Sequence, residues 1–209
     1  MFAPYYKQES LIMDTTLWGN ILFVSIVSMT PGPNNLLLAA SGANYGFFRT
    51  LPHMCGVIVG FAIMVVASGF GLGMILNEFP QVILPLKIMS MSFLLYLSWR
   101  IATGGAHVVE GKLQPLNFLP AVLFQTINPK GISFLLSIMG AQVSDAEPLL
   151  PQLIPLFILL PAFTVLSAVT WTMFGTAIGK LMQSQSAFRV FNLVMASLLV
   201  ACVIPIAFG

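Results

Sequence analysis

Charged residues are scarce in this chain of 209 residues, which has only eight Lys and Arg and six Asp and Glu. They make up 7% of the sequence, whereas soluble domains carry about 25% charged residues. A soluble fold could not cover its surface with so few charges, so most of that surface must face lipid. This nearly excludes a water-soluble enzyme. Disorder is excluded as well, because it needs low hydrophobicity and 58% of the residues are hydrophobic.

The sequence also lacks the patterns of several other protein classes. The net charge of +2 gives no basic patch, so nucleic acid is not an expected partner. Cys55 and Cys202 have no C-x-x-C pair and no His cluster near them, so neither a redox carrier nor a metal site is predicted. Phosphate-binding glycine loops and nucleophile motifs are missing too. We therefore expect no catalytic residue, no metal and no cofactor.

Long apolar segments fill most of the chain, each near the length of about 20 residues that crosses the hydrocarbon core. They do not alternate in polarity as barrel strands do, so helices are predicted. The predicted spans cover residues 17–40, 51–76, 81–102, 116–142, 149–175 and 187–208. The predicted fold class is thus all-α, a single six-helix membrane domain over residues 17–209, after an extracytoplasmic segment at residues 1–16.

A cleavable signal peptide is the alternative for the first apolar segment. Glu9 and Asp14 precede it with only Lys7 to oppose them, and the apolar run is too long, so a span is favoured.

Basic residues set the orientation of membrane helices. With the N-terminus outside, the inner connections hold five of them: Arg49, Arg100, Lys112, Lys180 and Arg189. Both termini are therefore expected on the outer, periplasmic side of a bacterial inner membrane.

Two of the predicted spans contain helix-breaking motifs. The first has Thr-Pro-Gly-Pro-Asn-Asn at residues 30–35, where two prolines lack amide hydrogens and the glycine permits unusual dihedral angles. The fourth has Gln-Thr-Ile-Asn-Pro-Lys-Gly at residues 125–131. Pro31 and Pro129 lie at nearly equal depth in their spans. A single break is more often a packing kink, but two breaks at matched depth favour a site, because irregular backbone inside a membrane must be buried or line a wet cavity.

Three spans separate the two breaks, so the second half enters the membrane inverted relative to the first. This predicts a 3+3 inverted repeat with halves at residues 17–105 and 113–209, the plan of many secondary transporters, whose paired broken helices mark the substrate site. Lys130 supports this prediction, since a charge at the centre of a membrane helix costs about 2.5–3.5 kcal/mol on insertion scales. Lys87 lies near a span end, where its long stem can reach the interface.

These motifs resemble the LysE/RhtB family of amino-acid exporters, the lysine and homoserine/threonine efflux translocators. The resemblance includes Thr-Pro-Gly-Pro-Asn at 30–34, Gly-Phe-Phe-Arg at 46–49, Leu-Leu-Tyr-Leu at 94–97 with Trp-Arg at 99–100, and Asn-Pro-Lys at 128–130. It covers nearly all of the chain after residue 17. The doubled asparagine and the Gly-Phe-Phe-Arg stretch look closest to the branch that exports cysteine and O-acetylserine. The resemblance implies export of a small amino acid or related metabolite across the bacterial inner membrane, driven by protons.

The resemblance also implies where the substrate binds. The candidate substrate-binding residues are Pro31, Gly32, Pro33, Asn34 and Asn35 at the first break, and Gln125, Asn128, Pro129 and Lys130 at the second. The chemistry agrees, because a half-helix N-terminus and a lysine can bind the carboxylate of a zwitterion. Opened carbonyl groups and asparagine side chains can accept hydrogen bonds from its ammonium group.

Proton coupling follows from the family and not from an acidic residue, since no Asp or Glu falls inside a predicted span. His53 and Lys130 are the candidates for a proton relay, and for His53 an ordinary hydrogen-bonded position is the alternative. The expected partners are an amino-acid substrate, protons and the lipid bilayer. A monomer and a homodimer both stay open, as does the partner of the GxxxG pattern at residues 56–60. Alternative functions are an inorganic-ion exporter and, from another class, a structural membrane subunit.

Overall fold

A computed structural model describes residues 18–19, 21–71, 76, 78–103, 114–142 and 149–208. Within these ranges the regular structure is helical throughout. The predicted extracytoplasmic segment at residues 1–16 and the connection that holds Lys112 lie outside the described residues.

Nine α-helices make up the described part of the chain. They are α1 (Ile21–Met29), α2 (Pro33–Tyr45), α3 (Phe47–Gly69), α4 (Ile83–Thr103, preceded by a 3-10 turn at Pro80–Val82), α5 (Phe118–Ile127), α6 (Pro129–Gln142), α7 (Leu149–Leu181), α8 (Gln185–Ala201) and α9 (Val203–Phe208).

Several of these helices are long and apolar enough to cross a membrane. Four segments qualify on their own, namely Phe47–Gly69, Pro80–Thr103, Leu150–Leu181 and Gln185–Phe208. The pair α1 and α2 qualifies jointly and is bent by 53° at the Thr30–Gly32 break, while α5 is a shorter apolar helix. The prediction of an all-helical membrane protein is therefore confirmed, with four spans by this measure, or five when the bent pair counts as one.

Two helices extend beyond the spans that the sequence predicts. Helix α3 begins at Phe47 and not at residue 51, because Gly46 has φ +81° and turns the chain directly from α2 into α3. Helix α7 continues to Leu181, past the predicted end at Gly175. Gly175 and Gly179 lie within this helix, and because they have no side chains α7 can pack against the backbone of α2.

Helix α2 lies in the core of the bundle. Every residue from Pro33 to Ala43 is buried, and α2 contacts α3, α7 and α8. The approach to α7 is close enough that a Cβ at Gly175 would overlap the carbonyl oxygen of Ala39, and a Cβ at Gly179 would lie 2.5 Å from that of Ala43. Because α2 is enclosed on all sides, its polar side chains must find partners inside the protein.

The GxxxG pattern at residues 56–60 packs within the chain. A Cβ at Gly56 would overlap the carbonyl oxygen of Phe118, and a Cβ at Gly60 would lie 3.0 Å from that of Val122. Small residues at this spacing let helix backbones approach closely in membranes. The glycines thus bring α5 against α3 and leave no need for a second chain at this surface.

One end of the bundle collects basic residues. The C-terminal ends of α2 and α4 lie close together there, since Tyr45 and Arg100 line one cavity. The N-terminal part of α8 lies beside them, since Asn44 bonds to Asn192. Lys180 is one residue past Gly179, which packs on α2. We call this the basic end, and the basic residues at these helix termini are Arg49, Arg100, Lys180 and Arg189.

Candidate functional site

The break between α1 and α2 opens the helical hydrogen-bond ladder. The last bond of α1 runs from Thr30 N to Ile26 O at 2.9 Å, and bonding resumes with Leu36 N donating to Gly32 O at 2.9 Å. Between them Pro31 and Pro33 have no N–H to donate. The carbonyl groups of the break therefore need other donors.

Side chains supply those donors. Asn35 Nδ2 donates to the carbonyl oxygens of Ser28 at 2.8 Å and Thr30 at 3.0 Å. From α7, Ser167 Oγ donates to Ser28 O at 2.7 Å and lies 3.1 Å from Asn35 Oδ1. The break is thus held open by specific hydrogen bonds, which is what irregular backbone at membrane depth requires.

Lys130 reaches the same break from α6. Its Nζ donates to Thr30 O at 2.8 Å, so the charged group lies on a carbonyl that the first break has exposed. Its stem also passes beside Gly32, where a Cβ would be 2.7 Å from Lys130 Cδ and 2.8 Å from Nζ. The missing side chain at Gly32 therefore makes room for the lysine.

The second break, between α5 and α6, is joined to the first by amide side chains. Asn128 has an extended backbone and caps α6, because its Oδ1 accepts from Lys130 N at 3.2 Å. Its Nδ2 donates to Gln125 Oε1 at 3.4 Å, and Asn34 Nδ2 donates to the same oxygen. Polar groups of both breaks thus converge on Gln125.

A cavity, the central cavity, lies where these groups converge. Its polar lining comes from Asn34, Asn35, Gln125, Asn128, Lys130 and Ser167. Phe61 and Phe134 contribute to its apolar wall. About 70 Å³ is open to the centres of water molecules, which is room for roughly five waters. Asn34 Oδ1 is buried and has no hydrogen-bond partner in the described part of the chain, so the cavity presents an unused acceptor as well as a cation.

The predicted substrate-binding residues lie close together but line two adjacent cavities. Gly32, Asn34, Asn35, Gln125, Asn128 and Lys130 line the central cavity. The three prolines, Pro31, Pro33 and Pro129, line a neighbouring, larger space toward α4 and α9. Gly32 and Lys130 line both, so they stand between the two spaces. The other relay candidate, His53, lines neither and lies in a separate cavity at the basic end.

Sequence reasoning missed the contribution of α7. Thr164 and Ser167 line the central cavity, and Ser167 bonds to the broken segment. Their spacing of three residues places both on one face of a helix. A polar pair at that spacing, inside an otherwise apolar segment, is the signal that could have identified this face.

Comparisons with known proteins agree on one family. A family model described as LysE type translocator matches residues 25–208. Among similar curated proteins is the cysteine/O-acetylserine efflux protein of Escherichia coli (strain K12), 26% identical over 88% of this chain and 93% of that protein. The protein of the same description from Shigella flexneri serotype 5b (strain 8401) is 26% identical over 93% of this chain and 97% of its own length. No solved structure is significantly similar.

Proposed function

The chain belongs to the LysE type translocator family, and on that premise we propose that it exports small neutral amino acids or close metabolites through the central cavity. Members of this family and the efflux proteins similar to this chain are transporters and not enzymes. Export of an amino acid or metabolite is supported by those relatives. The substrate, its binding residues and the driving force are the subject of the proposal.

The observation that carries the proposal is the convergence of a cation and two helix breaks on one small cavity. The backbone amides of Asn34 and Asn35 begin α2 and have no intrahelical acceptor, and Gly32 before them has no side chain to cap them. With Lys130 Nζ they form a set of donors suited to a carboxylate. Asn34 Oδ1 and the carbonyl oxygen of Thr30 are acceptors suited to an ammonium group.

Binding would exchange contacts already present. Lys130 Nζ now donates to Thr30 O, and an incoming carboxylate would draw the ammonium of Lys130 away from this carbonyl. Thr30 O would keep its bond from Asn35 and gain one from the substrate's ammonium group. The zwitterion thus replaces one internal bond of the cavity with bonds at both of its charged ends.

The lining of the cavity favours small, neutral substrates. Room for roughly five waters is comparable to the size of an amino acid with a short side chain. None of the described residues that line it is acidic, so a second cation on the substrate would have no counter-charge. The relatives are named for cysteine and O-acetylserine, which are the substrates that we propose to test first.

The proposed architecture is six spans in a 3+3 inverted repeat with broken first and fourth helices. Several of the contacts between helices support it, because exchanging the two halves of the chain maps these contacts onto one another. The contact of α2 with α7 corresponds to the contacts of α5 and α6 with α3. The contact of α3 with α7 maps onto itself when the halves are exchanged, and so does the contact of α4 with α8. In such transporters the substrate binds between the broken helices.

The proposed orientation puts the basic end on the cytoplasmic side. Cytoplasmic ends of membrane proteins carry an excess of Lys and Arg, and the basic end carries four such residues. Both chain termini would then face the periplasm. For the proposed proton coupling, Lys130 is the relay candidate that lies in the central cavity.

Analysis of the growth medium tests the proposed function. Cells with and without the protein are compared for extracellular amino acids, with cells that make the Lys130→Ala variant to the same level as the matched control. We expect O-acetylserine, cysteine or another small neutral amino acid to accumulate outside wild-type cells only. An identical set of extracellular metabolites in all three cultures would contradict the proposal.

A further inference from the structure

A second cavity with unused polar groups lies at the basic end. It is formed by α2, α3, α4, α8 and the segment at residues 114–116, and it shares no lining residue with the central cavity. We call it the basic-end cavity. About 60 Å³ is open to the centres of water molecules, which is room for roughly four or five waters. Its size is therefore close to that of the central cavity.

The two cavities are neighbours along the same helices. On α3, His53 lines the basic-end cavity and Val57 lines the central cavity, a separation of about one helical turn. On α2, Asn35 lines the central cavity and Ser41 the basic-end cavity. Between these positions lie Leu38 and Met54, which pack together in a buried apolar cluster. A small molecule that enters from the basic end meets this cavity first.

Arg100 gives the basic-end cavity a cation. Its Nη2 donates to Gln114 O at 3.3 Å, and its Cζ lies 5.9 Å from the ring centroid of Tyr96. A guanidinium has five N–H donors, so these contacts leave most of them for other acceptors. None of the described residues that line the cavity is acidic. The planar fork of arginine fits a carboxylate with two parallel hydrogen bonds.

His53 gives the cavity an unsatisfied polar side chain. It is 1% exposed, and both ring nitrogens are buried without a hydrogen-bond partner among the described residues. A buried polar group without a partner is costly, and native proteins rarely keep one without a reason. A neutral imidazole has one donor and one acceptor. A ligand with both an anionic and a cationic group would satisfy both nitrogens.

Three other polar side chains of the cavity already have partners. Asn44 and Asn192 exchange two amide hydrogen bonds of 2.7 and 3.0 Å, and Ser41 Oγ lies 3.0 Å from Thr50 Oγ1. These bonds tie α2 to α8 and to α3, so they hold the walls in place. His53 and Arg100 are therefore groups that a ligand can engage, beside Tyr45 and Gln114, which also line the cavity.

We propose that the basic-end cavity is a second binding site for the carboxylate of the exported amino acid, which is occupied before the substrate reaches the central cavity. Arg100 binds the carboxylate, and His53 bonds to the zwitterion beside it. This inference rests on the proposed function, since it takes the same substrate class and places its entry at the basic end.

Equilibrium binding of radiolabelled O-acetyl-L-serine to the purified full chain tests this site. We expect two molecules per chain for the wild type, and one for each of Arg100→Gln, His53→Phe and Lys130→Gln. Arg189→Gln is the matched control, because it removes the same charge from the same end outside the cavity, and it should bind two. Gel filtration identifies a variant that has aggregated, and Arg100→Lys, which keeps the charge without the fork, is then used in its place.

Export measured from inside-loaded vesicles adds a kinetic readout. We expect Arg100→Gln and His53→Phe to raise the half-saturating internal concentration at least tenfold, with a smaller change in the maximal rate. The inference is overturned if the wild type binds one molecule per chain and both variants bind and export as it does. A wild type that neither binds nor exports any small amino acid would instead overturn the proposed function, so the two failures are distinguishable.

Discussion

At the scale of single residues, the contact between Gly32 and Lys130 joins the two halves of the chain. The lysine extends from α6 to the carbonyl oxygen of Thr30 at 2.8 Å, through space that exists because residue 32 has no side chain. Because Lys130 donates to an opened carbonyl beside the central cavity, its charged group makes contacts that a packing role would not require.

A methyl group at position 32 should disturb this contact. In Gly32→Ala the new Cβ would lie 2.7 Å from Lys130 Cδ, and the flexible lysine must move away from Thr30. Overpacking costs about 1–3 kcal/mol, so we expect export in a cell-based assay to fall about fivefold or more while the amount of protein in the membrane is unchanged. Gly140→Ala is the control, because no atom of the described residues lies within 4 Å of its new Cβ. Equal export by both variants would contradict this role.

Six of the nine predicted substrate-binding residues line the central cavity, because proline and glycine motifs act locally and a lone lysine in an apolar segment is conspicuous. The sequence did not predict the contribution of Ser167, whose bond to Ser28 O connects residues 139 positions apart. Serine hydroxyls elsewhere in the chain donate to a carbonyl oxygen of their own helix, as Ser98 Oγ does to Leu94 O. Only the packing of α7 on α2 distinguishes the two cases.

At the scale of helices, the break at Thr30–Gly32 should matter for transport more than for insertion. Pro31→Ala restores an N–H that can pair with the carbonyl oxygen four residues earlier and so favours a continuous helix. We expect export to fall severalfold while the protein still reaches the membrane in normal amounts, as measured by export and immunoblotting of membranes. The matched control is Pro155→Ala, since Pro155 lies inside the continuous helix α7. Unchanged export by Pro31→Ala would show that the break has no part in transport.

The close contact between α2 and α7 should stabilise the folded protein. A Cβ in Gly175→Ala would overlap the backbone oxygen of Ala39, and backbone cannot rotate away as a side chain can. We expect a loss of about 1–3 kcal/mol and a midpoint of thermal unfolding lower by several degrees for the detergent-purified protein. Gly140→Ala again serves as the control. A Gly175→Ala protein as stable as the wild type would refute the close approach of the two helices.

The helix elements were largely predictable, and their ends were not. Runs of apolar residues determine where a helix can lie in lipid, and each of the six predicted segments contains described helix. Gly175, the end of the predicted fifth span, lies inside α7, which continues to Leu181. Its role is a contact with α2, on which the sequence of α7 alone carries no information.

At the scale of the whole molecule, the proposed proton antiport requires that a pH gradient drive export. We expect export by everted or reconstituted vesicles to accelerate when a pH gradient is imposed in the direction that drives antiport, and to slow when an ionophore collapses it. Transport of radiolabelled substrate with and without the gradient measures this. Equal rates would contradict proton antiport but not the proposed export itself.

Efflux from liposomes measures the proposed transport by the purified chain alone. The purified chain is reconstituted into liposomes loaded with radiolabelled O-acetyl-L-serine, L-cysteine under reducing conditions, or L-lysine, and release is followed over time. We expect rapid release of the two small neutral amino acids by the wild type, release near that of loaded liposomes without protein for Lys130→Ala, and little release of lysine by either. Release by Lys130→Ala at the wild-type rate, or no release of any of the three by the wild type, would contradict the proposed export through the central cavity.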